Sequence, residues 1–515
     1  MTEVISRPGG TAPGDKGLKG GALGLLSSVV IGMASTAPAY SLAASLGALV
    51  LLAGVKTPAV LLLAFVPMYL IAVAYRELNR AEPDCGTTFT WAGRAFGPWM
   101  GWLGGWGIIA ADVIVMANLA QIAGQYSFLL FGATDLAQNT LWTTVAGVLW
   151  ILVMTYICYR GIEISARLQF ALLGIELVVL AVFAVTALVR VYSGDAPEGS
   201  MTPSPDWLWP GGLGVSDLVD AVLIAVFLYW GWDTAVAVNE ESDEPGRTPG
   251  RAAVLSTLLL LVTYVLVAVA AVAFAGTGTE GIGLGNEANS DDVFAAMGSA
   301  VFGESGFGVV LGSLLIISVL TSSAASTQTT ILPTARAALS MGAYRALPQR
   351  FAEIHPRYLT PSWATWGMGI VSIVFYVGLT LVSTNVLADS ISATGLLIAF
   401  YYGLTGFACV WFYRRELSGR ALWTKGVLPG LGGLMLLAAF VLSSIDYARA
   451  DAGTTTIFGI GGVFVIGIGS IVLGAALMLG YSRIAPAFFR GETLRPGRSE
   501  VRAIAEPGQR GEAVE

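Results

Sequence analysis

Three carboxyl side chains stand among residues that are almost all apolar: Asp112, Glu176 and Asp233. Burial disfavours the charged form of such a group, so each is a candidate to carry a proton or to hold a cation away from water. Around the third the chain reads Phe227-Leu228-Tyr229-Trp230-Gly231-Trp232-Asp233-Thr234, where a glycine lets the backbone leave the helix just before the acid. A second interruption lies far upstream. There an apolar run reaching Met33 gives way to Ala34-Ser35-Thr36-Ala37-Pro38-Ala39-Tyr40-Ser41 and then resumes. Pro38 has no backbone N–H and turns Ala37 away from the helical conformation. A helix broken inside a membrane leaves main-chain groups unpaired: its amino ends suit a carboxylate and its bare carbonyls suit an ammonium. Trp230 and Trp232 could add a face for a cation. A site of this kind would use Ser35, Thr36, Ala37, Tyr40 and Ser41 from one break and Tyr229, Trp230, Gly231 and Trp232 from the other. Asp233 is placed to cap the second half of its own broken helix. A later segment offers hydroxyls at Thr321, Ser322, Ser323, Ser326 and Thr327, which could hydrogen-bond Glu176 or ligate sodium.

The elements that must position these residues are membrane helices. The chain has 515 residues, of which 55% are hydrophobic and only 12% charged, far from the composition of soluble domains. At about 20 apolar residues per crossing, twelve segments emerge, at residues 20–53, 58–78, 98–131, 138–159, 166–190, 214–239, 252–275, 305–335, 362–384, 390–413, 425–446 and 455–481. Residues 293–302 read as a short amphipathic helix on the outer surface. With both termini cytoplasmic, only Lys56, Arg190 and Arg449 of the 27 Lys and Arg fall outside, the bias expected of a plasma or inner membrane protein. Residues 1–17 read as a disordered cytoplasmic tail and residues 483–515 as a cytoplasmic tail. The first apolar segment is too long for a signal peptide and is expected to be retained.

Composition and motifs also exclude functions. The single histidine, His355, sits in a loop beside Pro356, and no metalloprotease, nucleophile-elbow or paired-cysteine pattern occurs, so an enzyme is not expected. Cys85, Cys158 and Cys409 have no metal or redox spacing. No basic face suggests nucleic acid, and no cofactor or metal is implied.

The two interruptions, Thr36 and Gly231, are 195 positions apart. Breaks at corresponding places in two halves are the sign of an inverted-repeat carrier with its site at mid-membrane. The halves would be residues 18–192 and 193–415, followed by two further helices over 416–482.

At this point particular residues carry a resemblance. Phe227 to Asp233, then Asn239-Glu240-Glu241, Pro245, Arg247 and Pro249-Gly250-Arg251, are similar to the sixth-helix signature of the amino acid-polyamine-organocation (APC) transporters. Arg336, Met341, Leu347-Pro348, residues 351–357 and Thr360-Pro361 resemble that family's eighth helix and the following loop. The resemblance covers about residues 18–480. It implies an all-α polytopic membrane protein with the five-plus-five inverted repeat of the leucine-transporter fold, discontinuous first and sixth helices, and two additional helices. It further implies a secondary active permease for amino acids, coupled to protons or working by exchange. A polyamine or organic-cation carrier is the alternative, with a channel or a non-transporting sensor behind it. The chain departs from the family pattern at Pro38-Ala39-Tyr40, where a Gly-Ser/Thr-Gly stretch is usual, and at Glu176, where many relatives carry lysine. An acid in place of a coupling cation makes Glu176 the leading proton carrier, ahead of Asp112 and Asp233. The expected partners are a small amino acid or amine, a proton or sodium, and the lipid bilayer.

Overall fold

The computed structural model describes residues 16–497 except 290, 291, 304 and 383, and describes only the backbone of residues 384–388. Most of the two expected tails, residues 1–15 and 498–515, lies outside the described residues. The chain opens with α1 (Leu25–Ser35), α2 (Pro38–Ala53), α3 (Thr57–Ala81) and α4 (Thr88–Phe96). It continues through α5 (Pro98–Leu129), α6 (Thr134–Ala137), α7 (Thr140–Arg160) and α8 (Ile162–Ser193). The middle holds α9 (Val215–Tyr229), α10 (Thr234–Ala237), α11 (Thr248–Ala275), α12 (Val293–Phe302) and α13 (Phe307–Ala343). The remainder is α14 (Ser362–Val382), α15 (Thr384–Tyr413), α16 (Gly419–Ala421), α17 (Leu428–Tyr447), a hairpin of β1 (Thr456–Ile457) and β2 (Ile460–Gly461), α18 (Gly462–Ser482) and α19 (Pro486–Phe489).

Among the described residues, ten helical runs are long and apolar enough to cross a membrane. One of them spans Leu25–Ala81 and takes in α1, α2 and α3. The interrupted pair α9 and α10 is not among the ten, because α9 has only 15 residues. The outward faces are apolar, as lipid contact requires: Val178, Val185 and Val189 of α8, Val262 of α11, Val374 of α14 and Val472 of α18 are all exposed. Interior helices approach closely through small residues. A side chain on Gly124 of α5 would begin 2.2 Å from the Thr143 carbonyl oxygen, and one on Gly147 of α7 would begin 2.5 Å from that of Ala120.

Several boundaries differ from those expected. The segment placed at 455–481 begins as the hairpin, since Gly453, Phe458 and Gly459 take positive φ and turn the chain before α18 starts at Gly462. The segment placed at 20–53 starts as a helix only at Leu25. Residues 22 and 23 donate to the Glu241 carbonyl, at 2.8 and 3.0 Å, and Leu23 bridges Ser242. The stretch 293–302, expected on the outer surface, forms α12, whose last carbonyls, Ala300 and Val301, accept from Arg190. Helices α4 and α19 were not foreseen.

The expected disorder of residues 16 and 17 is corrected. Lys16 is buried, with its ammonium 2.9 Å from Asp84 and 2.5 Å from Glu240. Asp84 also accepts from the Gly86 N–H, Thr90 and Ser340, and Glu240 accepts from the Cys85 N–H. Beside this cluster, Arg336 makes a two-pronged bond to Glu241, with neither side chain exposed. The C-terminal end packs on the same face, where Arg94 donates to the Arg495 carbonyl at 2.9 Å and Leu494 is buried. A lysine thus ties residue 16 to the α3–α4 loop, the turn at residues 239–241 after α10 and, through Asp84, the end of α13. Sequence could not indicate this, because the three partners lie far apart in the chain. Burial by itself would raise the Asp84 carboxyl, but Lys16 and the hydrogen bonds hold it down at about 2. Burial would lower Lys16, and Asp84 and Glu240 outweigh it and raise it. Stability from a depressed carboxyl is lost only as pH falls through its folded value, and stability from a raised lysine only as pH rises through its folded value. The Lys16–Asp84 pair therefore stays charged across the physiological range, while burial raises the Glu240 carboxyl.

Removing one partner of a buried ion pair costs about 3–5 kcal/mol. In a variant whose other two cysteines are replaced, Lys16→Ala is expected to raise the rate of maleimide labelling of buried Cys85 by about tenfold or more. An unchanged labelling rate would show that this strap does not hold the face closed.

Candidate functional site

Both interruptions read from the sequence are present. Helix α1 ends at Ser35; Ala37 then takes a left-handed conformation, φ 47° and ψ 66°, before Pro38 opens α2. Left-handed geometry costs a residue with a Cβ about 1–2 kcal/mol, and the proline that follows is what keeps Ala37 out of the helical region. Helix α9 ends at Tyr229, Trp230 is extended, and Gly231 has φ 118°, which only glycine adopts freely.

The two breaks touch through their main chains. A Cβ on Gly231 would lie 2.7 Å from both the carbonyl carbon and oxygen of Ser35, and 2.9 Å from the nitrogen of Thr36. The Ser35 and Thr234 hydroxyls meet at 2.8 Å, joining the last turn of α1 to the first of α10. Ser326 of α13 donates to the Ser35 carbonyl at 2.9 Å, and Ser41 donates to the Thr36 carbonyl at 2.6 Å. Tyr264 of α11 donates to the Leu228 carbonyl at 2.6 Å. Side-chain hydroxyls thereby take up several of the carbonyls at the two interruptions, as a low-dielectric interior demands.

Glu176 of α8 lies at the amino end of α2. Its Oε1 accepts from the Ala39 N–H at 2.6 Å and from the Ser322 hydroxyl at 2.8 Å, and Ser322 in turn accepts from the Tyr40 N–H at 3.2 Å. The sequence reading gave these amides to a substrate carboxylate, and the structure corrects it. Thr36 N–H and Ala37 N–H bond to Met33 and Ala34, Ser41 N–H bonds to Ala37, and Pro38 has no N–H. The first break thus has no amide to spare. Glu176 Oε2, the Tyr40 and Tyr229 hydroxyls and the Trp232 indole N–H are buried with no partner among the described residues.

The remaining candidates divide. Asp233 occupies the N-cap position of α10 but makes no capping bond, a correction of its expected role. Its carboxylate accepts from the Tyr401 hydroxyl at 3.2 Å, and Tyr401 accepts from the Trp230 indole. Trp232 is fully buried between Tyr75 and Tyr402, each ring centre 5.1 Å away, and so acts as packing for the break. Asp112 accepts from Thr334 at 2.5 Å and hydrogen-bonds neither break. Ser323 donates to its own helix at Leu320, so only Ser322 of that pair joins the site. Tyr401, Tyr264 and Thr234 were missed. The Phe400-Tyr401-Tyr402 run in an otherwise apolar helix is the signal that could have drawn attention to the first of these.

An assembly of apolar helices with two interrupted ones in contact at their breaks is the arrangement of a membrane transporter. The amino acid permease family profile matches residues 23–474, and the chain belongs to this family, within the APC superfamily. An uncharacterized transporter of Mycobacterium tuberculosis is 26% identical over 444 residues, covering 84% of this chain and 89% of its own. A branched-chain amino acid permease of Lactococcus lactis is 24% identical, covering 77% and 84%. An arginine/ornithine antiporter of Latilactobacillus sakei is 25% identical over a shorter stretch, covering 42% and 46%. The protein is a multi-pass membrane protein of a transporter family.

The contact at Gly231 can be separated from its backbone strain. Gly54 also has a positive φ, 53°, but a Cβ there meets nothing within 4 Å. Gly231→Ala is expected to destabilise the detergent-solubilised protein by about 1–3 kcal/mol more than Gly54→Ala, read as the lower thermal midpoint. Equal shifts would mean that the breaks do not bear on each other.

Proposed function

We propose that this protein is a secondary active carrier that moves an amino acid or a closely related amine across the cytoplasmic membrane by alternating access. The observation that carries the reading is the main-chain contact between the two breaks, Ser35 against Gly231, with polar groups left over around it. The names of the relatives, a branched-chain amino acid permease and an arginine/ornithine antiporter, support amino acids as the solute class. Counting the Leu25–Ala81 run as two crossings and α9–α10 as a broken one gives twelve spans. In this reading residues 18–192 and 193–415 are inverted halves, residues 416–482 hold the last two helices, and both termini face the cytoplasm.

The lock around Lys16 and the Arg336–Glu241 pair then close the cytoplasmic face. Opening that face requires these ion pairs to part, while α1 and α10 swing with the breaks at their ends. The same motion would rock one bundle of helices against a scaffold built on α5, α7 and α13. A proton is the preferred coupling ion, because Glu176 is buried with its charge unmatched by any Lys or Arg in its hydrogen bonds. Sodium is the alternative for the Ser322 and Ser326 hydroxyls.

Proteoliposomes holding the purified protein are expected to take up a labelled amino acid or amine at a rate that responds to an imposed pH gradient. Uptake that follows a sodium gradient and ignores pH would move the coupling to sodium, and no uptake from a broad panel of amino acids and amines would end the carrier reading. Glu176→Gln is expected to abolish the pH dependence of accumulation while solute binding stays measurable. A pH response of uptake that survives the change would remove Glu176 from coupling.

A further inference from the structure

The amino end of α2 is the natural anion seat of the first break, since it presents N–H groups and the positive end of a 16-residue helix. The seat is taken. Glu176 Oε1 holds the Ala39 N–H directly and the Tyr40 N–H through Ser322. The other amides of the break are bonded within the chain, and position 38 has none. At the second break the Gly231 and Trp232 amides make no hydrogen bond among the described residues. They adjoin Asp233, whose charge opposes a second carboxylate there.

Glu176 Oε2 is different. The side chain is 0% exposed and this oxygen has no partner among the described residues, although a buried carboxylate oxygen left unbonded is costly. Such an atom asks for a donor, and the aromatic rings of Tyr40 and Tyr229, buried with unpaired hydroxyls, belong to the same two breaks. We propose that Glu176, when ionised, is a tethered anion that fills the carboxylate seat of the first break, and that its free oxygen is the acceptor for the ammonium of the solute, so that proton and solute occupy this carboxyl in turn. Specificity then rests on the amine. A free carboxylate on the solute gains nothing at the first break and adds a negative charge to a site that already contains Glu176 and Asp233. The solute class is an organic amine whose carboxyl group is absent, masked or held elsewhere.

This inference rests on the carrier reading, and the experiment keeps the two apart. Thermal-shift titration of the full-length purified protein compares L-leucine and L-arginine with their methyl esters, and includes putrescine. The esters and putrescine are expected to stabilise the wild-type protein at concentrations about tenfold lower than the free amino acids, the scale set by one charged hydrogen bond. Glu176→Gln is expected to erase that advantage. Free amino acids that bind as well as or better than their esters would overturn the inference and leave the carrier reading standing, as would an ester advantage that persists in Glu176→Gln. Binding of none of these probes would count against both. Should the variant fail to fold, the wild-type comparison decides the matter alone.

Discussion

The structure depends on one close approach: the backbone of Gly231 against the Ser35 carbonyl and the Thr36 nitrogen. Two helices can come this near at their interruptions only if one of them offers no side chain. The glycine supplies that, and its φ of 118° supplies the turn that ends α9. Moving the breaks apart by the width of a methyl group would also part the Ser35–Thr234 contact and shift the Ser326 bond to Ser35. The positions of α10 and α13 relative to α1 follow from this contact.

An interrupted helix inside apolar surroundings must find partners for what it releases, because no water is there to take them. Here the partners come from other helices. Ser326 and Ser322 on α13, Tyr264 on α11 and Glu176 on α8 each meet a main-chain or side-chain group of a break. The hydroxyl run 321–327, which looks in sequence like a loose polar stripe, is divided by helical geometry. Residues 322 and 326 share one face toward α1 and α2, while Ser323 and Thr327 turn their hydroxyls to carbonyls of their own helix.

This division marks what the sequence could and could not disclose. The breaks were legible because proline and glycine act locally: Pro38 constrains Ala37, and Gly231 permits a conformation no neighbour could adopt. Buried Glu176 was legible because a carboxylate amid leucines and valines has no other explanation. One partner, Ser322, was legible as a member of the 321–327 hydroxyl run; the other, the Ala39 N–H, was not, since it depends on how α8 crosses α2. Asp233 misled for the same reason: its position beside α10 suggested a cap, and the deciding neighbour was Tyr401, 168 residues away. Lys16 was hidden more deeply, because a lysine in a polar leader looks solvated until Asp84 and Glu240 are brought to it.

The polar groups that remain unpaired are informative in themselves. Buried donors and acceptors are nearly always satisfied in folded proteins, so exceptions gathered in one region need a reason. Structural strain is not a sufficient one here, since neighbouring serines and threonines satisfy the harder case of the freed carbonyls. Among the described residues, the exceptions around the breaks include the Glu176 Oε2 atom, the hydroxyls of Tyr40, Tyr229 and Tyr402, and the Trp232 indole N–H. The Glu176 oxygen and the tyrosine oxygens can accept from the cationic end of a small solute, whereas the indole N–H, a donor only, asks for an acceptor. In the carrier proposed here, the closed lock and the filled anion seat leave these groups waiting for a solute. The cost of the leftover groups is then the free energy available to a solute when it binds.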